Sequence, residues 1–330
     1  MSEHITTSAP LNIPYLQQFW QRQMERRSAI SHTQYLRDRL LCFALGIGIE
    51  QMMRFLATPC SLAELEAWII ELNQGALAPL HIQRLNAALA GEAYSADVQQ
   101  WVAEVDAMPA VLDAQALQHW DEFGYVIVPN LISAEQCAAV AKLVFDSVGA
   151  SATDASTWYA GNNTQGIMVQ TFQHPALQAA RQSPRLHKAM AQLWGTADLF
   201  VSIDRCGFNP PENADHPFPG PHLHWDVELK PPIPFATQAI LYLTDTQANQ
   251  GAFTCVPGFQ REIDAWLGNL PADAEPQECI PRERAVALAG KAGDLIIWHQ
   301  ALPHGSSPNR SQLPRVVQYV NMLRAPSATA

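Results

Sequence analysis

The tripeptide His-Trp-Asp occurs twice in this sequence, beginning at His119 and at His224. A ferrous ion that must bind O2 needs three protein ligands on one face, and two imidazoles with one carboxylate supply that set. A His and an Asp two residues apart share one face of a β-strand but do not face each other on a helix. The first copy lies in a helical pattern, so we interpret it as a solvated helix end. The second copy leads into a strand region, which predicts that His224 and Asp226 chelate a metal.

The third ligand must come from a distant part of the chain, and two histidines compete for this role. His299 ends the apolar run at residues 295–298, and His304 follows it in a turn or at a strand end. His299 could support a metal ligand from behind, or it could be a core histidine that hydrogen-bonds to the backbone. Both interpretations of His299 stay open on the spacing alone.

The residues around His304 resemble the phytanoyl-CoA dioxygenase family. In that family's pattern the distal histidine is followed by Gly-Ser, then by Asn, and eleven residues later by Arg. Here His304, Gly305, Ser306, Asn309 and Arg315 match this pattern. The upstream blocks follow the family's order and are residues 124–130, the His224/Asp226 pair and residues 249–258. The resemblance covers roughly residues 118–324, and the ordered set is more specific than His-x-Asp by itself.

The resemblance implies an α+β fold, namely a double-stranded β-helix (a jelly-roll, cupin-like barrel) with flanking helices and the metal in its mouth. It also implies a non-haem dioxygenase that uses Fe(II) and 2-oxoglutarate, with iron held by His224, Asp226 and His304. Such an enzyme hydroxylates a C–H bond of a small molecule and releases succinate and CO2. Halogenating relatives have Gly or Ala in place of the carboxylate ligand, so Asp226 favours hydroxylation or another oxidation.

The resemblance further implies that Arg315 binds the far carboxylate of 2-oxoglutarate. A bidentate guanidinium–carboxylate pair is a natural clamp for a diacid. Ser306 is a candidate to hydrogen-bond the same carboxylate. Tyr242 lies on a core strand and is a candidate to line the cosubstrate pocket, although a plain core aromatic is an equal alternative.

Two other functions stay open at this point. His222, His224 and Glu228 match the first metal motif of a cupin, which would be a metal-binding isomerase or binding module. A cupin should have a further histidine just after the turn at Pro257-Gly258, and Gln260 follows there with no histidine nearby. The third function is a metal-free β-barrel binding module, in which the His/Asp set is incidental.

Two regions of different character must position these residues. Residues 1–115 predict a helical N-terminal region, and residues 116–330 predict the double-stranded β-helix domain. Predicted helices cover residues 35–56, a segment after the capping box of Ser61 and Glu64, and residues 81–89, 96–105, 114–123, 134–148 and 186–194. Predicted strands cover residues 125–128, 199–203, 238–244, 252–256, 285–288, 294–299 and 315–323.

The composition limits the partners of this chain of 330 residues. The net charge of −11 provides no electrostatic footprint for nucleic acid or an anionic membrane, and we find no basic patch for the phosphates of an acyl-CoA. We therefore expect a small-molecule substrate together with O2, and no nucleic acid or membrane partner. The six cysteines form no CxxC pair and the N-terminus shows no secretory signal, which predicts free thiols and a cytoplasmic protein. The sequence carries no signal for an oligomeric state.

Overall fold

Helices dominate the first third of the chain and strands dominate the rest. The computed structural model describes residues 11–25, 30–75, 77–161 and 163–326. Residues 1–10, part of the segment on which the expectation of no secretory signal depends, lie outside these ranges. The α-helices are α1 (Pro14–Met24), α2 (His32–Ala44), α3 (Ile49–Leu56), α4 (Leu62–Leu72), α5 (Pro79–Ala90), α6 (Ala96–Asp106), α7 (Ala114–Phe123), α8 (Ala134–Val148), α9 (Gln178–Arg181), α10 (Pro184–Trp194) and α11 (Ile263–Gly268).

The strands begin just after α7. They are β1 (Tyr125–Val128), β2 (Thr164–Gln165), β3 (Met168–Val169), β4 (Leu199–Val201), β5 (Cys206–Asn209), β6 (Thr237–Tyr242), β7 (Phe253–Cys255), β8 (Val286–Ala287), β9 (Leu295–His299), β10 (His304–Ser306), β11 (Arg315–Tyr319) and β12 (Met322–Arg324). Internal contacts divide the chain into two units, the second of which comprises Met108–Thr196 and Asp204–Met322. The division at residue 115 stays a prediction.

The first unit is a helical assembly around its own apolar core. The predicted capping box opens α4, where the Ser61 amide donates to Glu64 Oε2 over 2.7 Å and the Glu64 amide donates to Ser61 Oγ over 3.2 Å. Such a box satisfies two backbone donors that a helix otherwise leaves unpaired. Fully buried members of this core include Leu16, Leu40, Leu41, Ile47, Met52, Leu65 and Ile69.

The predicted helix over residues 35–56 is two helices, α2 and α3. Gly46 between them has a φ of +72°, in the left-handed region that ends helices. Gly48 then precedes α3 in an extended conformation, with φ −69° and ψ 144°. The apolar steps continued through both helices, so periodicity alone did not reveal the break.

The second unit holds two antiparallel sheets. The larger has seven strands in the order β1-β9-β6-β11-β5-β3-β2, and the smaller has the order β10-β7-β8. A further two-stranded sheet joins β12 and β4. Within the described residues these sheets do not close into one barrel, so the structure shows a mixed helix and sheet fold. The double-stranded β-helix that the family resemblance implies stays a prediction.

One face of the larger sheet lines the interior of the second unit. Gln238 and Tyr242 are alternate residues of β6 and therefore share a face. In register, Gln238 lies opposite Trp298 of β9, and Tyr242 lies opposite Val317 of β11. This face packs into a core whose buried members include Leu223, Trp225, Ile240, Phe253, Cys255, Phe259, Ile296 and Leu302.

No helix in the described part of the chain is long and apolar enough to cross a membrane. All six cysteines are free thiols, as predicted, and four of them are buried.

Candidate metal centre

His224 and Asp226 lie in an irregular segment and not on the predicted strand. Among the described residues, the ladder contact of this segment is an isolated antiparallel bridge between His224 and His304. The His224 amide donates to the His304 carbonyl over 2.8 Å, and the His304 amide donates back over 3.0 Å. The segment is flanked by residues 217–221 and 231–234, both rich in proline, which has no N–H to continue a ladder. This single bridge therefore positions His224, a role that we expected a strand to fill.

The structure brings the three predicted metal ligands together. Nε2 of His224 lies 3.3 Å from Oδ1 of Asp226, and Nε2 of His304 lies 3.3 Å from Oδ2. One ligand atom of each residue lies within 4.8 Å of the other two, and among the described residues no other such trio of His, Cys, Asp or Glu was found. Two imidazoles and one carboxylate meeting from one side match the donor set of an oxygen-activating ferrous site.

Both imidazoles are held in the orientation that metal binding requires. Nδ1 of His224 hydrogen-bonds to the His222 carbonyl over 2.7 Å, and Nδ1 of His304 to the Leu302 carbonyl over 3.0 Å. A carbonyl only accepts, so Nδ1 carries a proton and Nε2 faces Asp226. Each Nε2 can donate a proton to the carboxylate or, once that proton is lost, offer its lone pair to a metal ion.

The carboxylate of Asp226 is ionised at neutral pH. Burial by itself raises the pKa of Asp226, but hydrogen bonds with His224 and His304 outweigh it and hold this pKa well below its ordinary range. Burial lowers the pKa of His224, whereas the bond to Asp226 prevails and raises it. A cation is therefore favoured between these groups, and a metal ion can replace the proton.

Sequence reasoning missed two residues beside Asp226. Nε2 of Gln238 donates to Oδ2 of Asp226 over 2.5 Å, and the indole N–H of Trp298 donates to Oε1 of Gln238 over 3.0 Å. Gln238 alternates with Tyr242 on β6, and this spacing was the available signal that it lines the interior. The contact with Trp298 depends on the pairing of β6 with β9, which the sequence did not specify.

Aromatic rings close one side of the centre. The centroid of Trp298 lies 4.3 Å from that of Phe253 and 5.1 Å from that of His304. Trp225, which lies between the two ligands in sequence, donates its indole N–H to the Ala301 carbonyl over 2.9 Å and packs in the core. The rings of Trp298 and Phe253 give the metal-ligand cluster one apolar side.

Arg315, the predicted cosubstrate residue, is completely buried with an unpaired charge. Its side chain is 0 % exposed, and none of its three guanidinium nitrogens has a hydrogen-bond partner of good geometry among the described residues. Tyr319, four residues further along β11 and on the same face, lies within hydrogen-bonding reach of it. Burial raises the pKa of Tyr319, and the charge of Arg315 opposes that rise. A buried guanidinium without an acceptor is costly unless an anion binds there.

The other two predicted cosubstrate residues, Ser306 and Tyr242, differ in whether their hydroxyl groups are already hydrogen-bonded. Ser306 is 8 % exposed and follows His304 by two positions on β10, so both point to the same face. The Tyr242 hydroxyl is already engaged, since it donates to the Leu288 carbonyl over 2.7 Å and accepts from the Phe253 amide over 2.9 Å. Burial raises the pKa of Tyr242 to about 12. These bonds give Tyr242 a structural role, and its contact with the cosubstrate stays a prediction.

The rival histidines and acids lie outside the trio. His222 and Glu228 are exposed, and the His222 ring lies against Phe218 with centroids 5.3 Å apart. The His299 ring packs with Trp120 and Phe235. Its Nδ1 accepts the Ala301 amide over 3.0 Å, and burial lowers its pKa to about 4. His299 is therefore the core histidine of the two interpretations.

The first His-Trp-Asp copy lies within α7, as predicted. Its Asp121 is exposed. The His119 ring is half-buried between Phe123 and Tyr125, so that end of the helix is less solvated than expected.

Comparison with known proteins gives one family. The sequence model of the phytanoyl-CoA dioxygenase (PhyH) family matches residues 120–317. The ectoine dioxygenase of Bordetella parapertussis is 26 % identical over 225 residues, covering 62 % of this chain and 73 % of that protein. The ectoine dioxygenase of Sphingopyxis alaskensis is 23 % identical over 227 residues, covering 62 % and 74 %. The crystal structure of EctD from S. alaskensis with bound Fe is 20 % identical, with a TM-score of 0.47 over 66 % of this chain and 78 % of that one.

Proposed function

From the premise that the chain belongs to the phytanoyl-CoA dioxygenase family, we propose that His224, Asp226 and His304 hold its Fe(II) and that Arg315 holds its 2-oxoglutarate. Members of this family are Fe(II)/2-oxoglutarate-dependent dioxygenases, and the chain is such an enzyme. The matched region contains all four residues. The proposal therefore concerns which side chains do the work.

The observation that carries the proposal is the unpaired guanidinium of Arg315 in a unit that also holds the His–Asp–His trio. The trio satisfies the donor chemistry of Fe(II), which binds imidazole and carboxylate. The guanidinium is a buried cation that lacks an anion. A keto acid with a second carboxylate answers both requirements, because one end can chelate the metal and the other can pair with Arg315.

The bound iron, with 2-oxoglutarate and O2, supplies the oxidising power that inserts one oxygen atom into a substrate C–H bond and leaves succinate and CO2. The protein residues bind and orient. His224 and His304 present Nε2 lone pairs, and Asp226 supplies one negative charge. Trp298 and Phe253 form one apolar side of the centre, and Arg315 fixes the cosubstrate by its far end. None of these residues needs to take a proton from the substrate carbon.

We propose that the second unit is a jelly-roll barrel whose two walls are the seven-stranded and three-stranded sheets. The bridge between His224 and His304 supports this, since it extends the smaller sheet to the loop that carries the metal ligands. Ser306 is proposed as a second contact for the cosubstrate carboxylate.

The cupin-type alternative is not favoured, because His222 and Glu228 do not join the ligand cluster of His224, Asp226 and His304. The substrate is a small molecule. The ectoine dioxygenases among its relatives are named for a small substrate, and the net charge of −11 gives no support for an acyl-CoA. The six free thiols support the proposal of a reducing, cytoplasmic location.

The test is anaerobic addition of Fe(II) and 2-oxoglutarate to the metal-free full chain. We expect a weak visible charge-transfer band that requires both components and is absent in His304→Ala. A succinate-release screen over small molecules, with mass detection of one added oxygen, then identifies the substrate. If the wild-type protein binds Fe(II) without ever giving the band, the assignment of the cosubstrate site is wrong.

A further inference from the structure

The side-chain amide of Gln238 lies next to the Asp226 carboxylate and is not one of the three proposed metal ligands. The amide nitrogen donates to Oδ2 of Asp226 over 2.5 Å. The indole N–H of Trp298 donates to the amide oxygen over 3.0 Å. These side chains form a hydrogen-bonded chain that runs from Trp298 through Gln238 to Asp226.

Chemistry at both ends fixes the direction of this chain. An indole N–H only donates and an ionised carboxylate only accepts. The amide of Gln238 must therefore turn its oxygen to Trp298 and its NH2 group to Asp226, and a flipped amide would lose both bonds. Trp298 is itself immobilised, since it is 3 % exposed and packs between Phe253 and His304.

Metal binding changes which bonds Asp226 keeps. The other described partners of its carboxylate are Nε2 of His224 and Nε2 of His304, each at 3.3 Å. Those two atoms would turn their lone pairs to the metal. Among the described hydrogen bonds of Asp226, the one from Gln238 is then the side-chain bond that remains.

We propose that Gln238 is a positioning residue that retains Oδ2 of Asp226 so that the carboxylate binds the metal through Oδ1 alone. This inference rests on the proposed function. A carboxylate bound through one oxygen leaves three positions of a six-coordinate ion for 2-oxoglutarate and O2. A carboxylate bound through both oxygens would occupy one of those positions. Trp298 acts indirectly, because its indole N–H fixes the orientation of the Gln238 amide.

The test compares four variants of the full chain. Gln238→Met keeps the length of the side chain and removes the amide. Trp298→Phe keeps a ring and removes the N–H, and the double variant closes the cycle. The matched control is Gln300→Met, which removes another amide, one that donates to the Pro234 carbonyl and not to Asp226. Each protein is checked for folding by circular dichroism and thermal melting.

Two measurements report on the site without turnover. Mn(II) titration followed by electron paramagnetic resonance gives the metal affinity, and the anaerobic Fe(II)/2-oxoglutarate band gives the coordination. Loss of a residue that orients a metal ligand typically weakens metal binding by about 10–100-fold. We expect Gln238→Met to weaken Mn(II) binding about tenfold and to shift or weaken the band. Trp298→Phe should give a smaller effect, the double variant no more than Gln238→Met, and Gln300→Met none.

A folded Gln238→Met protein with wild-type Mn(II) affinity and an unchanged band overturns the inference. Additive effects in the double variant overturn the role given to Trp298, because the two residues then act separately. If the wild-type protein shows no band, the proposed function fails, and the Mn(II) titration still decides the role of Gln238. Should Gln238→Met not fold, Trp298→Phe in the same titration decides it.

Discussion

Replacing Arg315 by methionine should make the ligand-free protein more stable and abolish its response to 2-oxoglutarate. The guanidinium is 0 % exposed and has no hydrogen-bond partner of good geometry on any of its three nitrogens among the described residues. The folded protein therefore bears a desolvation cost for this charge that the neighbouring Tyr319 hydroxyl offsets only in part. Replacing buried ionic groups by apolar residues of similar volume stabilises proteins by about 1–4 kcal/mol. A thermal shift of roughly 2–4 °C per kcal/mol is expected for a unit of about 200 residues.

The ligand-bound protein should respond in the opposite sense. A ligand at 100 times its dissociation constant stabilises the folded state by about 2.7 kcal/mol. Truncating one partner of a buried, hydrogen-bonded charge pair costs about 2–5 kcal/mol, which weakens binding roughly 30-fold or more. Arg315→Met should thus lose most of the stabilisation that 2-oxoglutarate with Mn(II) gives the wild-type protein at the same concentration.

The assay is thermal unfolding of both proteins, each with and without Mn(II) and 2-oxoglutarate. The matched control is Arg310→Met, since Arg310 is 72 % exposed and pairs with Glu212 over 2.9 Å at the surface. An exposed pair contributes about 0–1 kcal/mol and binds no cosubstrate, so this variant should behave like the wild type. The reasoning is refuted if Arg315→Met is less stable without ligand and gains the full wild-type stabilisation with it.

Three further outcomes are expected. His304→Ala should weaken Mn(II) binding at least tenfold while His299→Phe leaves it unchanged, because His304, unlike His299, points its Nε2 at Asp226. Equal losses in a titration of both variants would contradict this assignment. The folded-state pKa of His224 is raised. In the metal-free protein its contribution to stability is therefore fully present below about pH 6.5 and is lost as the pH rises through the raised pKa. Chemical denaturation with a chelator present should show that the difference in unfolding free energy between wild type and His224→Gln shrinks from acid to alkaline pH, and a difference that grows would contradict this. Ser61→Ala should cost about 1 kcal/mol of stability by removing the cap of α4, measured by urea unfolding, and no loss would show that the cap is not needed.

Elements with local signals could be predicted closely from the sequence. The helix α8 begins after Ser133 and ends at Val148, as its cap residues and apolar spacing indicated. The helix α7 and the strand β1 also have the predicted bounds, because Gly124 between them adopts the left-handed conformation that separates them. The short strands β2 and β3 were missed, since two residues without any alternation look like loop until a partner strand is known.

The candidate site divides in the same way. His224, Asp226, His304 and Arg315 could be named because their order along the chain resembles one family. Gln238 could not, since its role depends on the register between β6 and β9 and on the path of an irregular loop. Two residues far apart in sequence meet only after that register is set, and single-sequence patterns carry no information on it.

The His-Gly-Ser sequence at the distal ligand has a physical reason beyond family resemblance. A Cβ atom at Gly305 would lie 2.5 Å from the His222 carbonyl oxygen and 2.7 Å from its carbonyl carbon. That carbonyl is the group that orients the His224 imidazole through Nδ1. The same stretch of β10 therefore does three things: it supplies His304, forms the bridge that places His224, and leaves room for the carbonyl that fixes the His224 tautomer. Because the loop with Asp226 has no strand of its own, the geometry of the whole trio depends on this close approach, and a side chain at position 305 would disturb the metal centre without removing a ligand.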